Sequence, residues 1–500
     1  MSRLLFFTTI LLYSLVGKGQ SSFTYFNKTY GGNDTINILA QAVQPIEGGY
    51  LVLGGYGVSD HQAFYIQKLN QQGDMIWIKE FETGNVGSLE GIGVIEWGSM
   101  VFKEDNLLSV TYRKQSDVCL TKLNYDGDSI FHHQYQVPAK QTPMQIIRTS
   151  DGGYIIAGRE LVATNDTVKG YALKVDSMGN FMWDKRYIMG NDARFFTVEQ
   201  TPWDNGYIFG GMGYTTATGY DMWIVKTYAN GDTMWTTRIG GPEFDCGAKV
   251  VTLTNYQEWQ NGSPIRYLVS GCLYEGGERK MYLAVLNEAG LVVQEKEHSF
   301  FPGLGSLQTP PLILPDKSFM ASGYYMGIPY PQPLVAHFNA DLSVDWFTTP
   351  TLNIEKQVYI KDLQPTPDGG YVLAGYQYST PQTAWVFKID SLGTTCAVPN
   401  CDSTVVIDAL PVIAGSPSSS FGLSPNPCTD FATLSLAPAA AAVGQQRRVE
   451  LFDISGRLVK TIVLPNLLAT YTFSVTDLPN GLYYCRLSGI PGTEKLVIIH

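Results

Sequence analysis

The chain has 500 residues, a formal net charge of −11 and only 16% charged residues, with 51 Gly, 30 Tyr, 23 Phe and 9 Trp. That length allows more than one domain, and the Gly- and aromatic-rich mixture favours turn-rich β structure over long helices. With no Lys/Arg run longer than Arg447-Arg448, nucleic acid is excluded as an expected partner. Residues 1–20 read as an export signal: Arg3 supplies the positive start, Leu4 to Val16 the apolar stretch, and Gly19 or Gln20 the cleavage point. No later apolar run reaches membrane-spanning length, so no transmembrane segment is expected.

From 21 onward the chain repeats itself. A hairpin turn of the type Asp151-Gly152-Gly153-Tyr154 recurs at Glu47-Gly48-Gly49-Tyr50, Asn205-Gly206-Tyr207 and Asp368-Gly369-Gly370-Tyr371, followed by an apolar strand ending in Gly. A second hairpin centres on Gly73, Gly127, Gly179, Gly231, Gly290, the glycine-less Asp341-Leu342 and Gly393, at intervals of 54, 52, 52, 59, 52 and 51 residues. Four short strands per period of this length point to a β-propeller, and seven turns predict seven blades over 21–398.

The seventh repeat lacks a fourth strand, and the stretch ending in Gly31-Gly32 matches the fourth strand that ends in Gly240-Gly241. The N-terminal strand is therefore expected to close the ring, pairing both exposed edges. The alignment also makes a column of Phe26, Trp77, Phe131, Trp183, Trp235 and Trp346. A position fixed relative to the turn marks these rings as spacers between sheets.

A Gly-, Pro- and Ser-rich linker is expected at 399–420, and alternating strands spaced as in a small Ig-like β-sandwich at 421–500. Its ordered blocks are Pro425-Asn426-Pro427, then 451–459 with Asp453, Gly456 and Arg457, then Pro479-Asn480-Gly481 with Tyr483, and finally a block opening on Lys495. These resemble the type A C-terminal sorting domain of the bacterial type IX secretion system. The resemblance implies the type IX machinery as partner, export through the periplasm, and a passenger either released or attached at the outer surface. The propeller repeats also resemble a family of secreted bacterial repeats of the form DGGY, apolar strand, Gly, then K-x-D-x-x-G-x-x-x-W, with which no single activity comes.

Chemistry is sparse. The six His have no metal-ligand spacing, and neither a nucleophile elbow nor a phosphate loop is present, so no catalytic residue, metal or cofactor is expected. Cys396 and Cys401 are spaced for a local disulfide; Cys428 with Cys485 and Cys246 with Cys272 are further pairings, leaving Cys119 buried. On the face that carries the loops after the fourth and second strands, Asp34, Asp192 and Asp245 stand near Tyr214 and Tyr324. Carboxylates beside tyrosines suit a glycan or protein ligand, whereas the same aspartates could simply cap turns. The expectation is a secreted or surface-attached non-catalytic binding protein. The alternatives are a polysaccharide hydrolase or lyase and a structural envelope component.

Overall fold

In the computed structural model the described residues are 24–500 except 33–36, 59–60, 83–101, 105–106, 115, 137–138, 163–166, 242, 244, 300–304, 327–329, 351–355, 379–380, 396–401, 408–411, 414–420, 437–447, 454–456, 465–469 and 489–492. The export signal, Asp34, Gly456 and the Cys396–Cys401 pair lie outside them. The rest is all-β, with one short helix, Tyr256–Gln260, among the described residues.

Antiparallel four-stranded runs follow one another at 37–82, 102–135, 140–187, 192–239 and 246–298, and a run at 305–348 repeats the pattern with its first strand split into Gly305–Leu307 and Leu312–Ile313. A further run joins Gln357–Pro365, Tyr371–Tyr378 and Thr383–Ile389 to the N-terminal strand Asn27–Gly32. That strand takes the expected fourth place, with Asn27 opposite Phe387 and Tyr30 opposite Ala384. Two stretches inside the expected linker also form strands. Asp402–Ile407 runs parallel to Asn27–Gly32, and Val412–Ile413 runs parallel to Met75–Glu82. Their Val- and Ile-rich sequence lets the passing chain cover two edges that would otherwise be open.

The repeat motif is explained by its contacts. In the second hairpin the leading Asn or Asp accepts two backbone N–H groups across the turn. Asn70 does so from Gln72 and Asp74, and Asp176 from Met178 and Asn180. The turn glycine has φ of 75° at Gly73 and 81° at Gly231, where a side chain is strained; the glycine-less turn holds Leu342 at 66°. A buried Lys near the end of the third strand reaches the Asp of the first hairpin turn in its own run, as Lys174 to Asp151, Lys226 to Asp204 and Lys388 to Asp368. The pair thus ties the third strand to the first hairpin.

The aromatic column joins one run to the next. A Cβ on Gly127 would lie 2.8 Å from the Trp77 ring, on Gly231 2.8 Å from Trp183, on Gly290 2.6 Å from Trp235 and on Gly393 2.3 Å from Trp346. A Cβ on Gly179 would lie 3.1 Å from the Phe131 ring, and one on Gly73 of the first run 2.5 Å from the ring of Phe26, from the N-terminal strand. Each ring thus sits on the turn of the following run, and the last run returns to the first. Where the fifth run has no aromatic, His298 Nε2 bonds the carbonyl of Leu342 at 2.8 Å.

A second set of ties runs along the innermost strands. In three runs the residue after the bulge accepts an N–H of the next inner strand: Gln145 from Val198 (2.6 Å), Thr197 from Val250 (3.1 Å) and Asp362 from Val43 (2.9 Å). At the same place Lys249 donates instead, to the Leu307 carbonyl at 3.4 Å.

The C-terminal strands form two sheets, 421–474 and 448–498, around one core that includes Phe421, Leu434, Phe473, Leu451, Leu487 and Ile498. Cys428 and Cys485 both lie in this core as free thiols, so their expected pairing is not made; burial pushes the Cys485 thiol up to about 12. Cys272 is disulfide-bonded, and the strand register sets Cys246 opposite it. Cys119 is a buried thiol outside any disulfide, as expected. This unit meets the repeats through Arg486, whose Nη1 donates to Asp128 at 2.8 Å.

Candidate functional site

The expected ligand residues do not form one site. Asp192 and Tyr214 come together in the run at 192–239. Asp192 opens the strand Asp192–Gln200 directly opposite Tyr214, which in turn faces Tyr220. The carboxylate accepts Arg194 Nε at 2.9 Å on Oδ1 and Tyr220 Oη at 2.7 Å on Oδ2, where a second Arg194 nitrogen also donates. Burial pushes the Asp192 carboxyl up, but these hydrogen bonds outweigh it and hold it below the usual carboxylate range. Arg194 lies 5.9 Å over the Tyr220 ring, and the two tyrosine rings stand 5.0 Å apart at 57°. All four side chains are half-buried. The result is a fixed ion pair with two aromatic faces beside it.

Asp245 is instead a brace. It is fully buried, with Oδ1 accepting the Tyr274 N–H at 2.7 Å and Oδ2 the Gly241 N–H at 2.8 Å. Burial raises its carboxyl despite those donors. Asp221 is buried beside it and accepts the Thr218 hydroxyl at 2.6 Å. A Cβ on Gly240 would come within 2.3 Å of Asp221 Oδ1 and 2.5 Å of Asp245 Oδ2. The glycine is required because the chain passes directly over two carboxyls.

Tyr324 belongs to a different patch. Its hydroxyl accepts Arg279 Nη1 at 3.2 Å, and its ring meets Tyr359 edge-on at 5.6 Å. Lys361 lies over Tyr359 and Tyr376 at 5.9 and 5.5 Å.

Three cations that the sequence does not single out lie near the Asp192 cluster. Arg159 stands opposite Thr142 in the strand register, and Arg113 Nη1 donates to Thr142 Oγ1 at 3.3 Å. Lys140 is exposed at the start of the strand Lys140–Arg148. Single basic residues on separate strands leave no run to read; only the repeat alignment, with each placed near a strand end on the loop-bearing side, carries a signal.

Among the described residues no group of three His, Cys, Asp or Glu could hold a metal ion. A hollow of about 930 Å³ opens at the other end of the inner strands, lined by Asp151, Glu199 and Thr252 among others. Both the backbone N–H and the hydroxyl of Thr252 already donate to Glu199, at 2.6 and 2.7 Å.

Residues 423–499 match the family model of the secretion system C-terminal sorting domain. This tail marks the protein for secretion or surface attachment by the type IX machinery. No helix among the described residues is long and apolar enough to cross a membrane. Within the tail the sequence blocks brace one another. Asn426 donates to the Lys495 carbonyl at 2.5 Å and accepts the Val497 N–H at 2.8 Å. Tyr483 Oη donates to the Pro479 carbonyl at 2.7 Å, and Asn480 Oδ1 accepts the His500 N–H at 2.7 Å. Asp453 accepts the Arg457 N–H at 3.0 Å, while the Arg457 and Lys495 side chains face solvent. The blocks are therefore structural as well as ordered.

No curated protein matches the chain in sequence. Similar solved structures include the polysaccharide lyase Uly1, at 9% identity and TM-score 0.43, covering 70% of this chain and 89% of that one. Sqt1 from Chaetomium thermophilum is 10% identical with TM-score 0.41, covering 76% and 87%. The β-propeller domain of the Trilobed protease from Pyrococcus furiosus, described as having an open velcro topology, is 8% identical with TM-score 0.34, covering 69% and 92%. The neighbours are propeller-like.

Proposed function

We propose that the chain is an exported, non-catalytic binding protein whose repeats make a seven-bladed ring closed by the N-terminal strand, with an Ig-like sorting sandwich behind it. The ring reading rests on the aromatic-to-turn contacts, which pass from run to run and return from Phe26 to Gly73. The binding reading rests on one observation: Tyr214 and Tyr220 flank the immobilised Asp192–Arg194 pair, half-exposed, on the loop-bearing face. Such a surface offers stacking area and fixed hydrogen-bond partners without side chains that must be ordered on binding.

A hydrolase or lyase acting through paired carboxyls needs both facing one cleft. Asp192 is tied to Arg194 and Tyr220, and Asp221 and Asp245 lie fully buried under Gly240. Titration of the purified protein against glycan and peptide panels tests the reading. Binding is expected, with the Tyr214→Ala/Tyr220→Ala variant weakened at least about tenfold and no new reducing or unsaturated ends released. Release of such ends, or affinity unchanged in that variant, contradicts it.

A further inference from the structure

Two departures from the repeat meet on the side away from the loop-bearing face. The interval between Gly231 and Gly290 is 59 residues where the others are 51 to 54, and the extra length falls in the first hairpin of the fifth run, between Thr252 and Arg266. There the helix Tyr256–Gln260 replaces the usual turn. Asn255 and Glu258 cap each other at 2.9 Å in both directions. Thr254 closes the base, its hydroxyl accepting the Arg266 N–H at 3.0 Å and donating to the Pro264 carbonyl at 2.8 Å. In the sixth run Lys317 follows Asp316 as Gly152 follows Asp151 and Gly369 follows Asp368, and it keeps their positive φ, at 70°. A side chain is strained there. Its ammonium reaches back to the helix, donating to Glu258 and to the Leu253 carbonyl, both at 2.7 Å. The helix is thus fixed in place, yet it buries none of its own residues, and Tyr256 and Trp259 stand exposed on it with their rings 5.6 Å apart. Packing does not explain them. Beside the helix a cavity of about 290 Å³ opens between the two runs, with Leu253, Leu268, Phe319 and Leu342 as its apolar wall and the Lys317–Glu258 pair and Arg266 as its polar part. Arg266 Nη1 donates to the Ile265 carbonyl at 2.8 Å, and the rest of its fork meets no acceptor among the described residues.

We propose that this excursion docks a polypeptide, which inserts one apolar side chain against Leu268, Phe319 and Leu342, sets a neighbouring carboxylate on Arg266 and lays its flank on Tyr256 and Trp259. The inference goes beyond the binding reading above and uses none of its residues. Binding energy at protein interfaces concentrates on Trp, Tyr and Arg placed around an apolar pocket. Because Lys317 and Glu258 neutralise each other, Arg266 is the charge left for a partner, and a guanidinium fork takes a carboxylate by two parallel hydrogen bonds. The apolar wall offers no partners to the hydroxyls of a sugar, and a lone anion would leave it empty.

Random dodecapeptides displayed on phage would be selected on the purified full chain, and the enriched sequences synthesised and titrated against it. Enrichment of a bulky apolar residue beside Asp or Glu is expected. Tyr256→Ala/Trp259→Ala and, separately, Arg266→Gln should each weaken these peptides at least about tenfold, and so should exchange of the peptide's acid for its amide. Thermal unfolding of Tyr256→Ala/Trp259→Ala should match wild type because both rings are exposed, so that the loss reports contact rather than folding. Tyr214→Ala/Tyr220→Ala should leave these peptides unaffected. Ligands that depend on that pair belong to the loop-bearing face, so either reading can fail alone. No enrichment above an unrelated carrier protein, unchanged affinity in either variant of this site, equal binding of the amide peptides, or enriched peptides that depend on Tyr214 and Tyr220 instead overturns the proposal. Maltohexaose binding lost with Trp259 would assign the surface to a sugar, and concentration-dependent dimerisation lost with Trp259 would assign it to a second copy of the chain; either result also overturns it.

Discussion

Asp362 shows what single positions do in this repeat. It is buried after the bulge of the strand Gln357–Pro365, where it accepts N–H groups from Val43 of the first run and from its neighbour Leu363. Burial pushes its carboxyl from the ordinary range to about 6, and the hydrogen bonds offset this only in part. The folded chain therefore holds a proton that the unfolded chain has shed. Stability is full below the unfolded value near 3.8 and is lost as pH rises through about 6, by roughly 3 kcal/mol. The stability difference between wild type and Asp362→Asn should shrink by that amount between pH 4 and 7 in urea titrations; parallel pH profiles would contradict it. Lys249 holds the equivalent place with the opposite charge, its ammonium lowered by burial to about 8. The sequence shows neither role, because an alternating strand does not say which neighbour its bulge will touch.

At the scale of elements, the second hairpin is the joint. Trp183 sits on Gly231 of the next run, and Tyr187 Oη donates to that glycine's carbonyl at 2.7 Å. Trp183→Ala should cost about 3 kcal/mol in a denaturation experiment, since the ring fills a gap that the sheets cannot close. Gly231→Ala, with φ of 81° and a Cβ 2.8 Å from the indole, should cost more than Gly48→Ala, where φ is 79° and the space is open. Equal losses would mean that the contact contributes little beyond backbone strain. The column was legible in sequence because spacing from a turn is a local property. The Lys226–Asp204 tie was not, although both residues belong to the visible motif, since the partners lie a strand apart. The cations at 113, 140, 159 and 194 were hidden for the same reason: only register brings them to one face.

For the whole molecule, the two ends were the most legible parts. The unpaired edge after Thr383–Ile389 and the unaccompanied strand Asn27–Gly32 match each other, and they pair in the structure. The tail was legible because its blocks are ordered, though the bracing of Asn426 against the final strand was not. Asn426→Ala should loosen the tail by about 1–2 kcal/mol and reduce export. Arg457→Ala and Lys495→Ala should reduce export without changing thermal unfolding, because those side chains face solvent. Secretion at wild-type level by all three would remove these residues from the signal. The central claim, ligand recognition on the loop-bearing face, is met most directly by hydrogen exchange on the purified protein with and without a saturating glycan that binds in the panel. Protection is expected in the strands Asp192–Gln200 and Tyr207–Thr215. Protection confined to the C-terminal sheets or to the hollow beside Asp151 and Thr252, or none at all, would contradict it.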